Sequence, residues 1–321
     1  MTETVLILGA KGRFGRATAT AFVKAGWHVR LMARGWDVEA SNGRVEHICG
    51  NALEAGTVAK AAEGADVIVN ALNPPYGRWA QDVPTLTANV IAAAQSSGAT
   101  VMIPGNVYNY GEAMPPVLLE MTKHAPTTEL GHLREELEQA YRNAARKGVQ
   151  TIILRAGDFI EGTATSNWFE SQMVNKIESG KITYPGPLDQ MHAWAYLPDL
   201  GRACAELVAK RDQFGEFEQF NFEGFNLTGA ALIAAIEQAW GKPLKVKAVP
   251  WWAIKAMALF VPDMAGVAAM SYLWRTPHAI NGTKFARALP DFIPTPMSEA
   301  LTSVLQSLTQ QTPINAVSEA A

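Results

Sequence analysis

The sequence predicts an α/β chain: a doubly wound parallel sheet with a smaller, interleaved C-terminal substrate domain. Three observations predict it. Short apolar runs alternate with helical patterns from Thr4 to about Arg155. The runs are continuous rather than alternating in polarity, as strands covered on both faces must be. The chain has 321 residues, 48% hydrophobic and 18% charged, which suffices for one large or two modest cores.

The elements follow in order. "TVLILG" (4–9) is a short buried strand and "RATATAFVKAG" (16–26) a helix closed by Gly26. "HVRLMAR" and "VEHICG" are the second and third strands, "TVAKAAEG" a helix, and "ADVIVNAL" the fourth strand. "VPTLTANVIAAAQSSG" is a longer helix with Pro84 near its start, where a missing N–H costs little. "ATVMIPG" is the fifth strand, "TTELGHLREELEQAYRNAARKG" a long helix and "VQTIILRAG" the sixth strand. After Asp158 the rhythm breaks. "NWFESQMVNKIESG" reads as a helix, followed by the proline- and aromatic-rich "KITYPGPLDQMHAWAYL". "PDLGRACAELVAKR" is a helix again, and "FEQFNFEG" a strand that returns to the sheet. "TGAALIAAIEQAWG" is a further helix, and short helices and turns run on to Leu308. The division is a first domain over 1–160 to which about 193–223 return, a second from 161–192 and 224–310, and a polar tail over 311–321. No internal repeat and no low-complexity linker interrupts it.

The stretch "ILGAKGRFG" carries the strongest chemical signal. Gly9 lets the first strand turn, Gly12 lets backbone approach a pyrophosphate, and Gly15 lets the next helix pack against the sheet. A helix N-terminus there offers N–H groups and partial positive charge to phosphates. The loop follows a strand, opens a helix and begins a βα series, which is the context of a Rossmann-type dinucleotide site. Its candidate residues are Gly9, Lys11, Gly12, Arg13, Phe14 and Gly15. At the mouth of the second strand an acid would hold a ribose 2′-hydroxyl, whereas arginine would pair with a 2′-phosphate. Arg34 stands there and Arg13 can face the same phosphate, which favours NADP(H) over NAD(H); Asp37, a little later, is the rival. Arg34 also reads as a solvated surface charge. Asn51 meets the adenine edge or merely forms a turn. "NALNPP" sets Asn70, Ala71, Leu72 and Asn73 beside the cofactor.

Other classes are excluded. A net charge of −3 gives the molecule no strong pull toward nucleic acid or anionic lipid. Two distant cysteines, Cys49 and Cys204, form neither a disulfide framework nor a zinc site, and six scattered histidines show no metal-ligand spacing. No leader precedes the first strand, so a cytoplasmic location is expected. Trp251–Trp274 is largely apolar, but Lys255, Pro262 and Asp263 interrupt it; buried helices lining a pocket are expected, not a span. Trp168, Trp194, Trp251, Trp252 and Trp274, with Tyr184, Tyr196 and Phe225, suggest a pocket for an apolar or ring-bearing small molecule, although core packing accounts for most of them. Arg275 and His278 could contact a single anionic group.

The segments "LGAKGRFG", "VRLMAR", "ADVIVNAL", "NVIAAAQSSGATVMIPGNVYNYG", "IILRAGDFIEG" and "AWAYLPDLGRACAEL" together resemble the extended and atypical branches of the short-chain dehydrogenase/reductase superfamily, which include the NAD(P)-dependent epimerases and dehydratases. The likeness covers most of the chain. It implies an active site with a serine or threonine after strand five, then a tyrosine with a lysine four residues later. Here the hydroxyl position falls at Gly105 or Asn106, Leu130 stands at the tyrosine and Arg134 at the lysine. Leucine exchanges no proton, and arginine keeps a charge near the ribose without acting as acid or base. The resemblance therefore carries over for the cofactor and not for the chemistry.

Two readings stay open. In one, an oxidoreductase or epimerase/dehydratase-like enzyme acts on a small, partly apolar carbonyl or alcohol with another proton donor. Tyr108, Tyr110 and Asn106 are its candidates, although each tyrosine could equally be a packed aromatic. Lys123, His124 and His132 flank the helix start, and the first two read as a solvated loop. In the other, the chain is a catalytically silent NADP(H)-binding sensor or regulator, with Glu135, Glu136 and Glu138 as a partner surface or an ordinary wet face. Asp158 and Glu161, after strand six, bind substrate, act as a base or simply cap, and Asp158 with Trp194 is the candidate substrate pair. The resemblance also implies a homodimer through the 129–147 helix; the stripe Leu133, Leu137, Tyr141 fits that or a core face.

Overall fold

The computed structural model describes residues 2–36, 41–163 and 167–310. Ten strands position the site: β1 (Thr4–Leu8), β2 (His28–Ala33), β3 (Val45–Cys49), β4 (Val67–Asn70), β5 (Thr100–Gly105), β6 (Thr151–Arg155), β7 (Asp158–Ile160), β8 (Met191–Tyr196), β9 (Phe217–Asn221) and β10 (Phe225–Thr228). Seven form one parallel sheet in the order β9-β6-β5-β4-β1-β2-β3, with Ser41–Asn42 antiparallel on its outer edge. The order reverses between β1 and β4, so a crevice opens beyond their carboxyl ends, where open α/β sheets bind ligands.

Helices cover both faces, which is why the strands carry unbroken apolar runs. Helices α1 (Arg13–Lys24) and α5 (Leu197–Ala209) enclose one core with Val5, Ile7, Val67 and Val69; α2 (Ala55–Ala62), α3 (Trp79–Ser97) and α4 (Glu129–Ala145) enclose the other with Leu6, Leu8 and Ile68. The "FEQFNFEG" strand does return to the sheet, as β9 beside β6. Ahead of it α5 packs so close to α1 that a Cβ on Gly201 would lie 2.6 Å from the Ala17 carbonyl. Asp199, in the first turn of α5, accepts from Thr295 N and Oγ1 at 2.6 and 2.8 Å, tying the C-terminal chain to the sheet.

A second, three-stranded sheet, β10-β8-β7, carries its own core of Phe169, Ile182, Trp194, Leu232, Ile236 and Leu301. Helix α6 (Gly229–Trp240) and the helix Met297–Gln310 close it. Thr228 caps α6 by accepting from Ala231 N, and Gly241 ends it at φ +78°.

Three expectations need correction. "NWFESQMVNKIESG" forms a wide turn over Phe169–Met173 and a 3₁₀ turn over Ile177–Ser179, not one helix. Asn167 Oδ1 accepts from both Phe169 N and Glu170 N, while the Glu170 carboxylate accepts from Asn167 N, and this local network outcompetes helical continuation. Helix α3 begins at Trp79, so Pro84 lies inside it. The lost hydrogen bond is tolerated because Trp79, Val83, Leu86 and Val90 are buried in the core. Only part of Trp251–Trp274 is buried: helices α7 (Trp251–Met257) and α8 (Pro262–Ala269) contain no buried residue, and burial resumes at Met270. The polar tail, 311–321, lies outside the described residues. No helix among the described residues is long and apolar enough to cross a membrane.

Candidate functional site

The glycine loop forms a cradle that admits no side chain. Gly9 has φ +76°, and a Cβ there would lie 2.7 Å from the Ala71 carbonyl across the crevice; on Gly15 it would lie 2.4 Å from the Gly9 carbonyl. Gly12 N donates to Gly9 O at 2.9 Å, which closes the turn. No side chain caps α1 and its first turn holds no acid, so nothing in the loop competes with an incoming anion. The residues therefore fit a dinucleotide pyrophosphate. Gly15→Val is expected to abolish binding of pyridine nucleotides in calorimetry, because the clash is with backbone that cannot give way; retained affinity would refute the cradle.

Two loop residues sit differently from expectation. Arg13 does not reach the end of β2: its Nε lies 3.7 Å from Glu161 Oε1, near the second sheet. Lys11 is the loop cation that reaches the end of β2, where its Nζ donates to the Gly35 carbonyl at 2.6 Å and stands 4.7 Å from the Trp36 ring. Arg34 is exposed beside it, and the rival Asp37 lies outside the described residues. The Phe14 side chain is buried in the core, leaving only its backbone to the loop. Asn51 is a turn former, its Oδ1 accepting from Leu53 N at 3.2 Å. Ala71 and Leu72 line the crevice opposite Gly9, with Leu72 N held by Asn70 Oδ1 at 3.2 Å, and Asn73 is exposed at the rim.

The strand-five exit divides the catalytic candidates. Asn106 Oδ1 accepts from Tyr108 N at 3.1 Å and so shapes the turn. The Tyr108 hydroxyl meets that of Tyr76 at 2.8 Å, and both line a small cavity with Asp158, Trp168, Met270 and Trp274. Tyr110 is excluded: it is 1% exposed and packs on Arg155 and His124 beneath the cleft. Burial pushes Tyr108 well above the usual phenol range, and Tyr76 is raised for the same reason, so both stay protonated at neutral pH.

The two helix positions singled out by the resemblance both point into the protein. Leu130 is buried in the core. Arg134 turns inward: its Nη2 donates to the Pro104 carbonyl at 2.5 Å, and its charge acts to lower Tyr108 and Tyr76 against the larger effect of their burial. Glu138 is buried rather than wet; it accepts from Arg155 Nη2 at 2.8 Å, while Arg155 Nη1 donates to the Asn106 carbonyl. Lys123 and His132 are exposed, and His124 is half-buried against Glu138 at 3.8 Å. Leu137 and Tyr141 are buried in the core with Leu133 partly buried against it, so this stripe of α4 packs on the sheet.

On the opposite wall Asp158 is one-third exposed and its Oδ2 lies 2.7 Å from His192 Nε2. His192 is buried flat on Trp274, with ring centroids 4.4 Å apart and planes 3° from parallel, and edge-on to His278. Burial, reinforced by His192, pushes His278 down to about 3, and its Nδ1 faces the Thr276 carbonyl at 2.9 Å; this neutral ring is not an anion contact. Arg275 is exposed. Trp194 is fully buried behind the wall, so Trp168 and Trp274, not Trp194, face the cavity. Sequence reasoning missed His192 and Tyr76. A histidine inside an apolar strand carries no spacing signal, and Tyr76 follows the proline pair of a cofactor loop. No group of three or more metal-ligating side chains occurs among the described residues.

Known proteins point the same way. Residues 9–183 match the NAD(P)H-binding family. No curated protein matches the chain. Among solved structures, MoeE5 in complex with UDP-glucuronic acid and NAD is 15% identical and superposes with a TM-score of 0.76 over 96% of this chain and 99% of that one. UDP-glucuronic acid 4-epimerase from Bacillus cereus, in complex with UDP-glucuronic acid and NAD, is 15% identical with a TM-score of 0.75 over 96% and 99% of the two chains. UDP-Glc/GlcNAc 4-epimerase from Campylobacter jejuni is 16% identical with a TM-score of 0.72 over 96% and 100%. These structures share the fold of this chain over nearly all of its length, and the family match over more than half of it makes this chain a member of the NAD(P)H-binding family.

Proposed function

We propose that the protein is an NADP(H)-dependent oxidoreductase or epimerase/dehydratase-like enzyme acting on a small, partly apolar carbonyl or alcohol, without the tyrosine–lysine pair of its relatives. The observation that carries this reading is the cavity beyond the glycine cradle, where two phenols and a carboxylate converge between aromatic walls. A nicotinamide cofactor held by the cradle would supply or accept a hydride. The chain supplies the proton handling: Asp158, held by His192, takes the proton of a substrate hydroxyl on oxidation and returns it to the carbonyl oxygen on reduction. Of the hydrogen-bonded pair Tyr108 and Tyr76, both kept protonated by burial, one hydroxyl donates to its partner and the partner donates to that oxygen. Trp168, Trp274, Met270 and Leu273 give the cavity an apolar side suited to a partly apolar substrate. Consumption of NADPH with aldehydes, ketones and sugars, followed by absorbance, tests the reading; tight binding with no consumption across the panel would overturn the enzymatic part.

NADP(H) is favoured by Arg34 and Lys11, two cations at the end of β2. Arg34→Asp is expected to weaken NADPH about tenfold to a hundredfold while leaving NADH within about twofold, because only the former carries the 2′-phosphate. Calorimetry with both nucleotides checks this, and equal loss for both would refute the assignment.

A further inference from the structure

The chain from Lys242 to Val261, which the proposed reaction does not use, holds four lysines (Lys242, Lys245, Lys247, Lys255) and no acid, in a molecule of net charge −3. All four lysines are exposed, and none forms a salt bridge among the described residues. The same stretch leaves large apolar side chains in water: Trp252 is 77% exposed, Leu259 80% and Phe260 85%, with Met257 and Val261 beside them. Trp252, Lys255 and Leu259 fall three to four residues apart along α7 and its end, and so share a face. Leu244 is buried in the core and Trp251 turns inward, its Nε1 donating to the Pro185 carbonyl at 2.7 Å. Exposed apolar side chains grouped in this way mark a contact surface.

We propose that this tip is a peripheral docking site for an anionic lipid bilayer: Trp252, Leu259 and Phe260 enter the interface and the lysines meet the headgroups. The charge pattern selects the occupant. A second copy joined through the same patch about a two-fold axis would set lysines against lysines with no acid on this stretch to answer them. A bilayer offers both apolar depth and negative charge. Docking would also place the cavity at the membrane surface, because α8 sits over its mouth: Gly77 N donates to Asp263 Oδ1 at 2.8 Å, and Val267 and Met270 line the cavity. The inference stands apart from the cofactor reading and fails or holds independently of it.

Flotation of the full chain with phosphatidylcholine vesicles, with and without phosphatidylglycerol, tests it. The chain is expected to float with the anionic vesicles, more weakly with neutral ones and less as salt rises. Leu259→Ser with Phe260→Ser is expected to reduce binding more than about a hundredfold, and each of Lys245→Gln, Lys247→Gln and Lys255→Gln about fivefold. These side chains are exposed, so the variants should keep the parent's circular dichroism and melting temperature. Three results would each overturn the proposal: no flotation with anionic vesicles at low salt, unchanged flotation of the double serine variant, or a lipid-free dimer that the double variant dissociates.

Discussion

Glu138→Gln is expected to destabilise the fold by about 3–5 kcal/mol, a large share of the roughly 5–15 kcal/mol typical of a domain. Arg155 is 1% exposed and Glu138 3%, and their side chains meet at 2.8 Å. Removing the carboxylate charge strands a guanidinium where water cannot reach it. The damage would also reach the cleft, because Arg155 donates to the Asn106 carbonyl, and Asn106 in turn shapes the turn carrying Tyr108. Urea unfolding should show a lower midpoint at unchanged slope; a loss under about 1 kcal/mol would refute the claim. Replacing both partners with apolar residues should cost less than replacing Glu138 alone.

The same pair sets an acid dependence. Burial pushes the Glu138 carboxyl up, but Arg155, with Arg134 and His124, pulls it below its ordinary value overall. A depressed folded value means the contribution is fully present above the ordinary carboxylate range. It is lost as pH falls through that range toward the lower, folded value. The Glu138→Gln variant should therefore lose less stability on acidification than the parent.

Asp158→Asn is expected to lower turnover about 10²–10⁴-fold, the usual yield of a positioned acid–base group, with NADPH affinity unchanged. The phenols cannot replace it, since burial raises Tyr108 and Tyr76 and suits them to hydrogen-bond donation only. Among the described residues Asp158 is the one carboxylate lining the cavity, and His192, fixed between Trp274 and His278, orients it. His192→Gln should reduce kcat less than Asp158→Asn and alter the pH profile, while Tyr108→Phe should lower kcat by the smaller amount owed to one hydrogen bond. Unchanged kcat for Asp158→Asn in a working assay would end the assignment.

Local pattern determined a great deal. The strand–glycine–helix opening, the seven-strand alternation and the return of "FEQFNFEG" to the sheet follow from hydrophobic runs and from backbone that only glycine can supply, both legible in neighbouring residues. What tertiary structure alone decided is which side chains meet. Tyr108 faces the cavity and Tyr110, two residues on, is buried on Arg155. Lys11 rather than Arg13 stands by Arg34's loop. Glu138, on a helix that read as a wet acidic face, closes a buried ion pair. His192 reaches Asp158 only because β7 and β8 pair across 34 residues of chain. Periodicity reports whether a residue faces core or water, averaged over its element. Partnership between distant polar side chains depends on where whole elements pack, and no short window of sequence contains that.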